Sequence, residues 1–358
     1  MREEFSEDTK ERLKNRAGNA CSFPGCHIPT SGPSLESAIQ TANTGVAAHI
    51  CSASQGPGAR RRLDISKFDR RLLSDYRNGI WMCQLHAKMI DTDEVRYTVE
   101  MLNHWRELAE LRAHLKQATN SQYPLPLHLR QGNEIPLAKI IRSTTENSHS
   151  ALATISSAVE DSCIYDVWGK ALGMAVRDLA CELLKNAFEH GNATKFEIDI
   201  GLDRVRIKSD DSPFSFSQLL SHSQGRGGQV AAAGLAEVDH QLITSYRRVD
   251  GSNVLEITFI TSQEQVLKSN HCSVSFDDFS RGFSRDNELP DIYISCETIY
   301  IVIPQGTTFI PSIAFGVVRQ LQQLEMTGKK FIFIGSGISD SVVAILKNAF
   351  PDIQVKQV

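Results

Sequence analysis

Two pairs of metal-binding residue types lie in the first ninety residues of this 358-residue chain. Cys21 and Cys26 flank a Pro-Gly turn, and Cys83 precedes His86 by three positions. Zinc prefers four such ligands in a tetrahedron, and this short spacing within pairs is typical of structural zinc sites. The sequence therefore predicts one zinc site that joins two distant parts of the chain. His27 competes with Cys26 as a ligand, although adjacent residues rarely reach one metal together.

A histidine and an asparagine with distinctive neighbours lie between and beside these pairs. His49 stands in Ala-Ala-His-Ile, and Asn78 opens the stretch Asn-Gly-Ile-Trp that runs into Cys83. A neutral imidazole near pH 7 is suited to accept a proton from water. This succession of motifs resembles the HNH endonuclease family in its zinc-stapled form, over about residues 15–115.

The HNH resemblance implies a ββα-metal finger, in which two strands and a helix surround one catalytic Mg²⁺ or Mn²⁺. It assigns His49 as the general base and Asn78 as the residue that orients this histidine through the backbone. The divalent ion would stabilise the charge on the phosphate and on the leaving 3′ oxygen.

The chain departs from the HNH pattern at two expected metal ligands. Ala48 stands where an acidic ligand often precedes the catalytic histidine, and Ala87 stands where the last histidine is usual. Asp91 and Asp93 are candidate replacements. Two interpretations stay open, an active nuclease and an inert DNA-binding module.

A run of arginines follows the candidate histidine. The net charge of the whole chain is −4, so a DNA-binding surface has to be local. Guanidinium groups are suited to phosphate contact, and a solvated basic face is the alternative. The predicted phosphate contacts are Arg60, Arg61, Arg62, Arg70, Arg71 and Arg77.

A second group of motifs begins at Glu182-Leu-Leu-Lys-Asn186 and ends at Gly191. Glu and Asn four residues apart share one helix face. The stretch resembles the N box of the GHKL ATPases (gyrase B, heat-shock chaperone ATPases, histidine kinases and MutL), and most closely that of the anti-sigma-factor kinases. The resemblance implies that Asn186 holds a Mg²⁺ that bridges the phosphates of ATP. It implies that Glu182 orients and deprotonates the attacking water.

Two further stretches follow in the order of the GHKL family. Asp210 or Asp211 stands where a carboxylate accepts a hydrogen bond from the adenine amino group, although Ser212 replaces the usual glycine after it. A glycine-rich stretch resembles the lid, whose backbone amides cradle phosphate. Its glycines are Gly225, Gly227, Gly228 and Gly234. The alternatives are a polar helix face and an ordinary flexible loop.

Local patterns predict the elements that position these residues. The predicted helices cover residues 1–16, 67–77, 97–117, 137–160, 170–189, 312–326 and 340–350. The predicted strands cover residues 41–52, 195–200, 204–209, 240–246, 254–261, 291–304 and 330–334.

These elements predict a multidomain α+β fold. Its parts are a zinc-stapled HNH domain over 1–117, a linker and helix over 118–160, a GHKL α/β sandwich over 161–262 and a small α/β unit over 263–358. The last unit either extends the preceding sheet or forms a layer of its own.

The sequence also indicates the compartment in which the protein is expected. No apolar run reaches the length of about 18 residues that indicates a membrane span, and the first residues lack a signal-peptide core. We expect a cytoplasmic protein whose cysteines stay reduced. Ordinary burial is then the expected role of the cysteines outside the zinc pairs, which are Cys51, Cys163, Cys181, Cys272 and Cys296.

The leading hypothesis is a nucleotide-regulated, metal-dependent DNA endonuclease that acts as a homodimer. Such a fusion suggests a bacterial effector of defence against phage or plasmid DNA, working with or without a partner protein. The second hypothesis is a GHKL-type protein kinase or switch with an inert, DNA-binding HNH domain. A structural adaptor with both sites inactive is the third.

Overall fold

The chain forms two compact units in a computed structural model. The model describes residues 3–64, 66–119, 125–214, 216, 226–282, 291–324 and 329–357. One unit comprises Met1–Lys139 with Glu160–Lys170, and the other comprises Ile140–Val159 with Ala171–Val358. The architecture is mixed α/β with several separate sheets.

The helices and strands are as follows. The helices are α1 (Glu7–Arg16), α2 (Gln84–Thr92), α3 (Val99–Thr119), α4 (Leu125–Arg130), α5 (His149–Asp161), α6 (Ile164–Val167), α7 (Lys170–Glu189), α8 (Arg226–Glu237), α9 (Gln263–Ser269), α10 (Phe276–Gly282), α11 (Pro311–Leu324) and α12 (Asp340–Ala349). The strands are β1 (Ser31–Pro33), β2 (Thr41–Asn43), β3 (Gly45–His49), β4 (Gly79–Cys83), β5 (Ile140–Thr144), β6 (Phe196–Ile200), β7 (Arg204–Ser209), β8 (Leu242–Val249), β9 (Ser252–Phe259), β10 (Ser273–Ser275), β11 (Thr298–Val302), β12 (Lys330–Gly335) and β13 (Gln354–Gln357).

The centre of the first unit is a ββα element made of β3, β4 and α2. The two strands are antiparallel, with His49 opposite Gly79, and β4 runs directly into α2. Position 79 requires glycine because Leu13 of α1 packs against its backbone. A Cβ at this position would lie 2.4 Å from Cδ1 of Leu13. The end of β3 and the start of β4 are therefore closely packed against α1.

The predicted basic helix over 67–77 is instead two short 3-10 helices, Arg70–Ser74 and Tyr76–Asn78. The Asp69 carboxylate accepts from the backbone N–H of Arg71, and the Asp75 carboxylate accepts from that of Arg77. Such local side-chain bonds compete with the backbone bonds of a continuous helix, so a new short helix begins after each aspartate.

The second unit contains a five-stranded antiparallel sheet in the order β5-β6-β7-β9-β8. Helix α7 covers the predicted 170–189 and buries a stripe of apolar side chains along its length. Strand β5 pairs with β6 at the edge of the sheet. It lies inside residues 118–160, where the sequence predicts a linker and a helix, so the sheet begins before the predicted domain start at 161.

The C-terminal part of this unit forms its own parallel sheet, in the order β10-β11-β12-β13. The Tyr300 hydroxyl donates to the Thr244 carbonyl at 2.6 Å, and the buried Lys356 ammonium donates to the Leu242 carbonyl at 2.9 Å. These bonds attach the parallel sheet to strand β8. Cys272 and Cys296 form a disulfide at the β10 end of the sheet, so the expectation that all cysteines are reduced is wrong for this pair.

None of the helices in the described part of the chain combines the length and the apolar character that crossing a bilayer requires.

Candidate functional site

Cys21, Cys26, Cys83 and His86 converge on one point, and their ligand atoms all lie within 4.8 Å of one another. The His86 Nδ1 lies 3.5 Å from the Cys21 Sγ and 3.2 Å from the Cys83 Sγ. Ligands bound tetrahedrally to one zinc ion lie roughly 3.5 Å apart, given bond lengths of about 2.0–2.3 Å. The four predicted ligands therefore form a cluster that could hold a metal ion such as zinc.

Local backbone structure aims these four side chains at one another. In the first pair, the Phe23 N–H donates to the Cys21 Sγ at 3.5 Å, and the Cys26 N–H donates to the Phe23 carbonyl at 3.1 Å. In the second pair, Cys83 caps the N-terminus of α2 and His86 lies in the first turn of that helix. The Phe23 ring stacks on the His86 imidazole with 3.9 Å between centroids, which fixes the plane of the ring.

Burial shifts the protonation of the cluster toward its neutral forms. It raises the pKa of the Cys21 thiol to about 12 and raises the pKa of the Cys26 thiol. It lowers the pKa of His86. Without a cation Cys21 and Cys26 are thiols at neutral pH, so a bound metal ion has to supply the charge that stabilises their thiolates.

A buried carboxylate, that of Asp166, indicates which of Cys26 and His27 is the metal ligand. The Asp166 side chain is fully buried and accepts from the Gly25 N–H at 3.0 Å. The His27 Nε2 and the Arg112 guanidinium both contact this carboxylate. His27 therefore belongs to an ionic cluster behind the turn, and Cys26 is the residue that joins the metal-binding group.

His49 lines a groove of about 440 Å³ beside the ββα element. Ala48 from β3 and both Ala87 and Asp91 from α2 line the same groove, as does the exposed Arg60. The His49 Nε2 lies 3.0 Å from the Glu3 carbonyl oxygen. The Phe5 ring stacks on the imidazole with a centroid distance of 3.9 Å and an angle of 9° between planes.

Asn78 is buried and binds the backbone that follows His49. Its Oδ1 accepts from the Cys51 N–H at 2.7 Å, and its Nδ2 donates to the Cys51 carbonyl at 2.8 Å. Its own carbonyl accepts from the Ile50 N–H at 2.8 Å. These bonds hold the two residues after His49, which is the kind of contact that orientation through the backbone requires.

The groove offers few metal ligands from the chain itself. Ala48 and Ala87 line it at the two positions where the HNH pattern has ligands. Of the two candidate replacements, Asp91 lines the groove, whereas the Asp93 carboxylate accepts from the N–H groups of Val95 and Arg96. Across the described residues, the clusters of at least three histidine, cysteine or acidic ligands lie elsewhere.

Arg61 is a structural residue, so its predicted role as a phosphate contact is wrong. It is only 9% exposed, its Nε donates to the Ile50 carbonyl at 2.7 Å, and its Nη1 donates to the Ile90 carbonyl at 2.5 Å. The guanidinium thus ties the backbone after His49 to the end of α2. The other five predicted contacts are exposed, and they are Arg60, Arg62, Arg70, Arg71 and Arg77.

Ion pairs already engage two of these exposed arginines. The Arg70 Nε donates to the Glu3 carboxylate at 3.0 Å, and the Arg77 Nε donates to the Asp75 carboxylate at 2.8 Å. Both pairs are solvent-exposed, so their net contribution to stability is small and a phosphate can compete for the cation.

In the second unit, Glu182 and Asn186 lie one turn apart on α7 and are both partly buried. The helix ends at Glu189, and Gly191 follows in close contact with Asp211. A Cβ at Gly191 would lie 2.6 Å from the Asp211 Cβ. This glycine therefore lets the Asp211 loop approach the C-terminal end of the helix.

The structure distinguishes the two aspartates that the sequence left as alternatives. Asp211 is buried, and its Oδ1 accepts from the Ser209 hydroxyl at 2.5 Å and from the Asn253 Nδ2 at 2.6 Å. Asp210 is exposed, and its carboxylate accepts from the N–H groups of Thr194 and Lys195. These bonds, led by one from the Thr194 hydroxyl, lower the pKa of Asp210. Asp210 thus stabilises a turn, whereas Asp211 is buried and held by hydrogen bonds from Ser209 and Asn253.

Sequence reasoning missed the residues that hold the Asp211 loop. The Asn253 Nδ2 also donates to the Ser212 carbonyl, and its Oδ1 accepts from the Tyr246 hydroxyl at 2.7 Å and from the Arg248 Nη1 at 2.8 Å. These residues lie on β8 and β9, more than thirty positions after the loop. No local motif marks them, because the pairing of the two strands alone brings them to Asp211.

The described part of the predicted lid is helical. Gly227 and Gly228 lie in the first turn of α8, and Gly234 lies in its body, where a Cβ would be 3.6 Å from Ala175. From residue 226 onward the stretch is therefore not the ordinary flexible loop that the sequence left as the alternative, because the run Val-Ala-Ala-Ala favours a helix. Gly225 lies outside the described residues.

Comparisons with known proteins identify no relative. No protein-family profile, no curated protein and no solved structure matches the chain.

Proposed function

We propose that the first unit is a zinc-stabilised DNA endonuclease of the HNH type and that the second unit binds ATP and regulates it. One observation carries the nuclease proposal: His49 and Asp91 line a single open groove next to the exposed Arg60. A proton acceptor, a carboxylate and a phosphate-binding cation are the groups that hydrolysis of a phosphodiester needs.

Zinc has a structural role in this proposal. The cluster joins the turn at Cys21–Cys26 to the junction of β4 and α2. All four positions of the tetrahedron come from the chain, which is typical of a closed structural site. The ion therefore stabilises the ββα element that carries His49.

Each functional residue of the groove has a separate role in hydrolysis. His49 takes the proton of the attacking water, and the exposed arginines hold the phosphate groups beside the scissile bond. Asp91, waters and the substrate phosphate would hold Mg²⁺ or Mn²⁺, a common arrangement for Mg²⁺ with few protein ligands. The bound ion would stabilise negative charge on the phosphate and on the leaving 3′ oxygen.

The second unit supplies the residues for ATP. Asn186 would hold the Mg²⁺ that accompanies ATP, Glu182 would orient and deprotonate the attacking water, and Asp211 would accept from the adenine amino group. The N–H groups in the first turn of α8 would bind phosphate. Dimerisation on ATP would bring two nuclease units to the two DNA strands, as a defence effector against phage or plasmid DNA requires.

A plasmid-nicking assay with Mg²⁺ or Mn²⁺, with and without ATP, tests the proposal. We expect His49→Ala to lower the cutting rate at least roughly 100-fold, because general-base catalysis contributes about 10²–10⁴-fold. Asp91→Asn is expected to weaken the dependence on the divalent ion. Both variants should keep about one zinc ion, since neither residue belongs to the cluster.

The matched control is His114→Ala, which removes an exposed histidine of α3 that does not line the groove. Its cutting rate is expected to equal that of the wild type. Equal cutting by wild type and His49→Ala would refute the assignment of the groove as the active site.

A second function is favoured by the alanines in the groove. With Ala48 and Ala87 in place of ligands, the unit can bind DNA without cutting it, and the second unit would act as a protein kinase or switch. Incubation with ATP labelled on the γ-phosphate distinguishes the two functions. Label transferred to a protein, without cutting in any nucleotide state, supports the switch.

A further inference from the structure

We propose that His271, Cys272 and Cys296 form a second metal site of the chain, which binds a metal only when the disulfide between the two cysteines is reduced. In the oxidised chain the two sulfurs are bonded to each other. After reduction, two thiolates and one imidazole would bind Zn²⁺, with water as the fourth ligand. The inference concerns the second unit and does not depend on the proposed nuclease or on ATP binding.

Three donors of the kinds that zinc prefers converge at the start of strand β10. One ring nitrogen of His271 and the two Sγ atoms all lie within 4.8 Å of one another. His271 and Cys272 are adjacent in the chain, yet both reach the same point, because the His271 Nε2 lies 3.4 Å from the Cys272 Sγ. This separation is close to the roughly 3.5 Å between ligands that are bound to one zinc ion by bonds of about 2.0–2.3 Å.

The backbone holds the two cysteines side by side without help from the sulfurs. Their Cα atoms are 5.8 Å apart, and the cysteines precede the paired parallel strands β10 and β11. The Cys272 carbonyl accepts from the Tyr300 N–H at 2.9 Å, so the strand pairing continues to the cysteine. Rotation about the Cα–Cβ bonds can part the sulfurs to the roughly 3.8 Å that two zinc–sulfur bonds of about 2.3 Å require.

Two polar groups beside Cys272 fit a thiolate better than a disulfide. The Asn270 side chain is 1% exposed, and its Oδ1 accepts from the Cys272 N–H at 2.9 Å. The Asn270 Nδ2 and the Ser273 hydroxyl are buried and have no hydrogen-bond partner among the described residues. A buried donor without an acceptor is unfavourable. A metal-bound thiolate carries negative charge and accepts hydrogen bonds more strongly than a disulfide sulfur does.

The metal complex would also suit the charge of its surroundings. Arg206 and Arg247 lie close enough to act electrostatically on His271. Glu256 is 4% exposed and pairs with Arg206 at 2.9 Å. Zn²⁺ bound to two thiolates and one neutral imidazole carries no net charge. Such a complex avoids the cost of burying an isolated charge, and the arginines do not repel it.

A dithiol as the reductant balances the redox step. One of its thiolates attacks a protein sulfur and breaks the protein S–S bond, and its second thiol then displaces that sulfur. Two electrons and two protons pass to Cys272 and Cys296, and the reductant leaves as a disulfide. Zinc binding then displaces the two thiol protons. Both cysteines are at most 1% exposed, so we expect the reduction to be slow.

Zinc counting in the full chain tests the proposal. The chain is incubated with a dithiol, which is removed without air before zinc is added and excess zinc is washed away. Thiol titration after denaturation should show two more thiols than in the oxidised chain. We expect about one zinc ion in the oxidised chain, bound by the cluster that contains Cys21, and about two in the reduced chain.

Two variants separate the ligands from the fold. Cys296→Ser removes a ligand, so we expect it to hold about one zinc ion even when reduced. His271→Ala keeps the disulfide and should weaken the second zinc at least roughly tenfold, the smallest loss usual for groups that support a metal site. The matched controls are Cys181→Ser and His240→Ala, which remove a cysteine and an exposed histidine of the same unit outside both clusters. Both should bind zinc like the wild type.

Equal zinc contents of the reduced and the oxidised wild type would overturn the proposal. So would a second zinc ion that persists in reduced Cys296→Ser, or a disulfide that the dithiol does not reduce in the folded chain. Thermal melting of the oxidised proteins shows whether each variant folds. If Cys296→Ser does not fold, His271→Ala decides the outcome, because it retains both cysteines.

Discussion

The metal-binding cluster and the His49 groove both include residues of the ββα element, but they differ in the number of ligand groups that the chain supplies. Four donors converge in the cluster, and Cys21 there is completely buried. The groove is open and receives one imidazole and one carboxylate, with alanines at the neighbouring positions. A structural metal needs all its ligands from the protein, whereas hydrolysis needs positions left for water and phosphate.

The largest effect is expected from breaking the cluster. Cys21→Ser should release about one zinc ion and strongly lower the stability of the first unit, because a bound zinc ion stabilises the folded form of such modules. Metal analysis and thermal melting would measure this. Cys51→Ala is the control, since Cys51 is a buried cysteine near the groove that has no place in the cluster. Unchanged zinc in Cys21→Ser would defeat the ligand assignment.

A pH series should sharpen the contrast between the metal-bound and metal-free cluster. Burial raises the pKa of Cys21 from its ordinary 9.0 to about 12. A group whose pKa is raised by folding stabilises the fold below its ordinary value and loses this contribution as the pH rises, so the metal-free protein should melt earlier above pH 9.

Zinc affinity should change in the opposite direction, because binding displaces thiol protons. We expect it to rise roughly tenfold per pH unit for each proton released, between pH 6 and pH 8. Competition with a chelator at fixed pH measures the affinity. A zinc affinity that does not depend on pH would mean that the cysteines are not the ligands.

A smaller effect is expected at the groove, whose backbone is held by hydrogen bonds and not by a structural metal ion. Arg61→Gln should leave the buried carbonyls of Ile50 and Ile90 without their charged donor, at a cost of about 3 kcal/mol. Denaturant unfolding would measure it. The neighbouring Arg62→Gln is exposed and should change stability by no more than about 0.5 kcal/mol. Equal effects would show that Arg61 does not hold the groove.

Patterns that repeat locally were predictable. Helix α7 occupies the predicted 170–189, and α3 covers Val99–Thr119 against the predicted 97–117. In a long amphipathic helix the apolar residues recur every three or four positions, so the pattern can be recognised in the sequence. Short strands carry too few residues for such a signal, so β1, β10 and β13 were missed.

Neighbouring residues of one type were the hardest to separate. Arg60, Arg61 and Arg62 have the same chemistry in sequence, yet only Arg61 is buried. Asp210 and Asp211 differ in the same way. Which of two adjacent side chains points inward depends on the segments that fold against them, and these come from distant parts of the chain.

The amino-acid sequence by itself determined the four donors of the metal-binding cluster, because ligand chemistry and short spacing within each pair leave few alternatives. It also determined the helix that carries Glu182 and Asn186. Only the tertiary structure decided that His27 contacts the Asp166 carboxylate and that Arg61 is structural. It also decided that the Glu3 carbonyl and the Phe5 ring contact His49. The physical reason is that such contacts join residues far apart in the chain, where no local pattern records them.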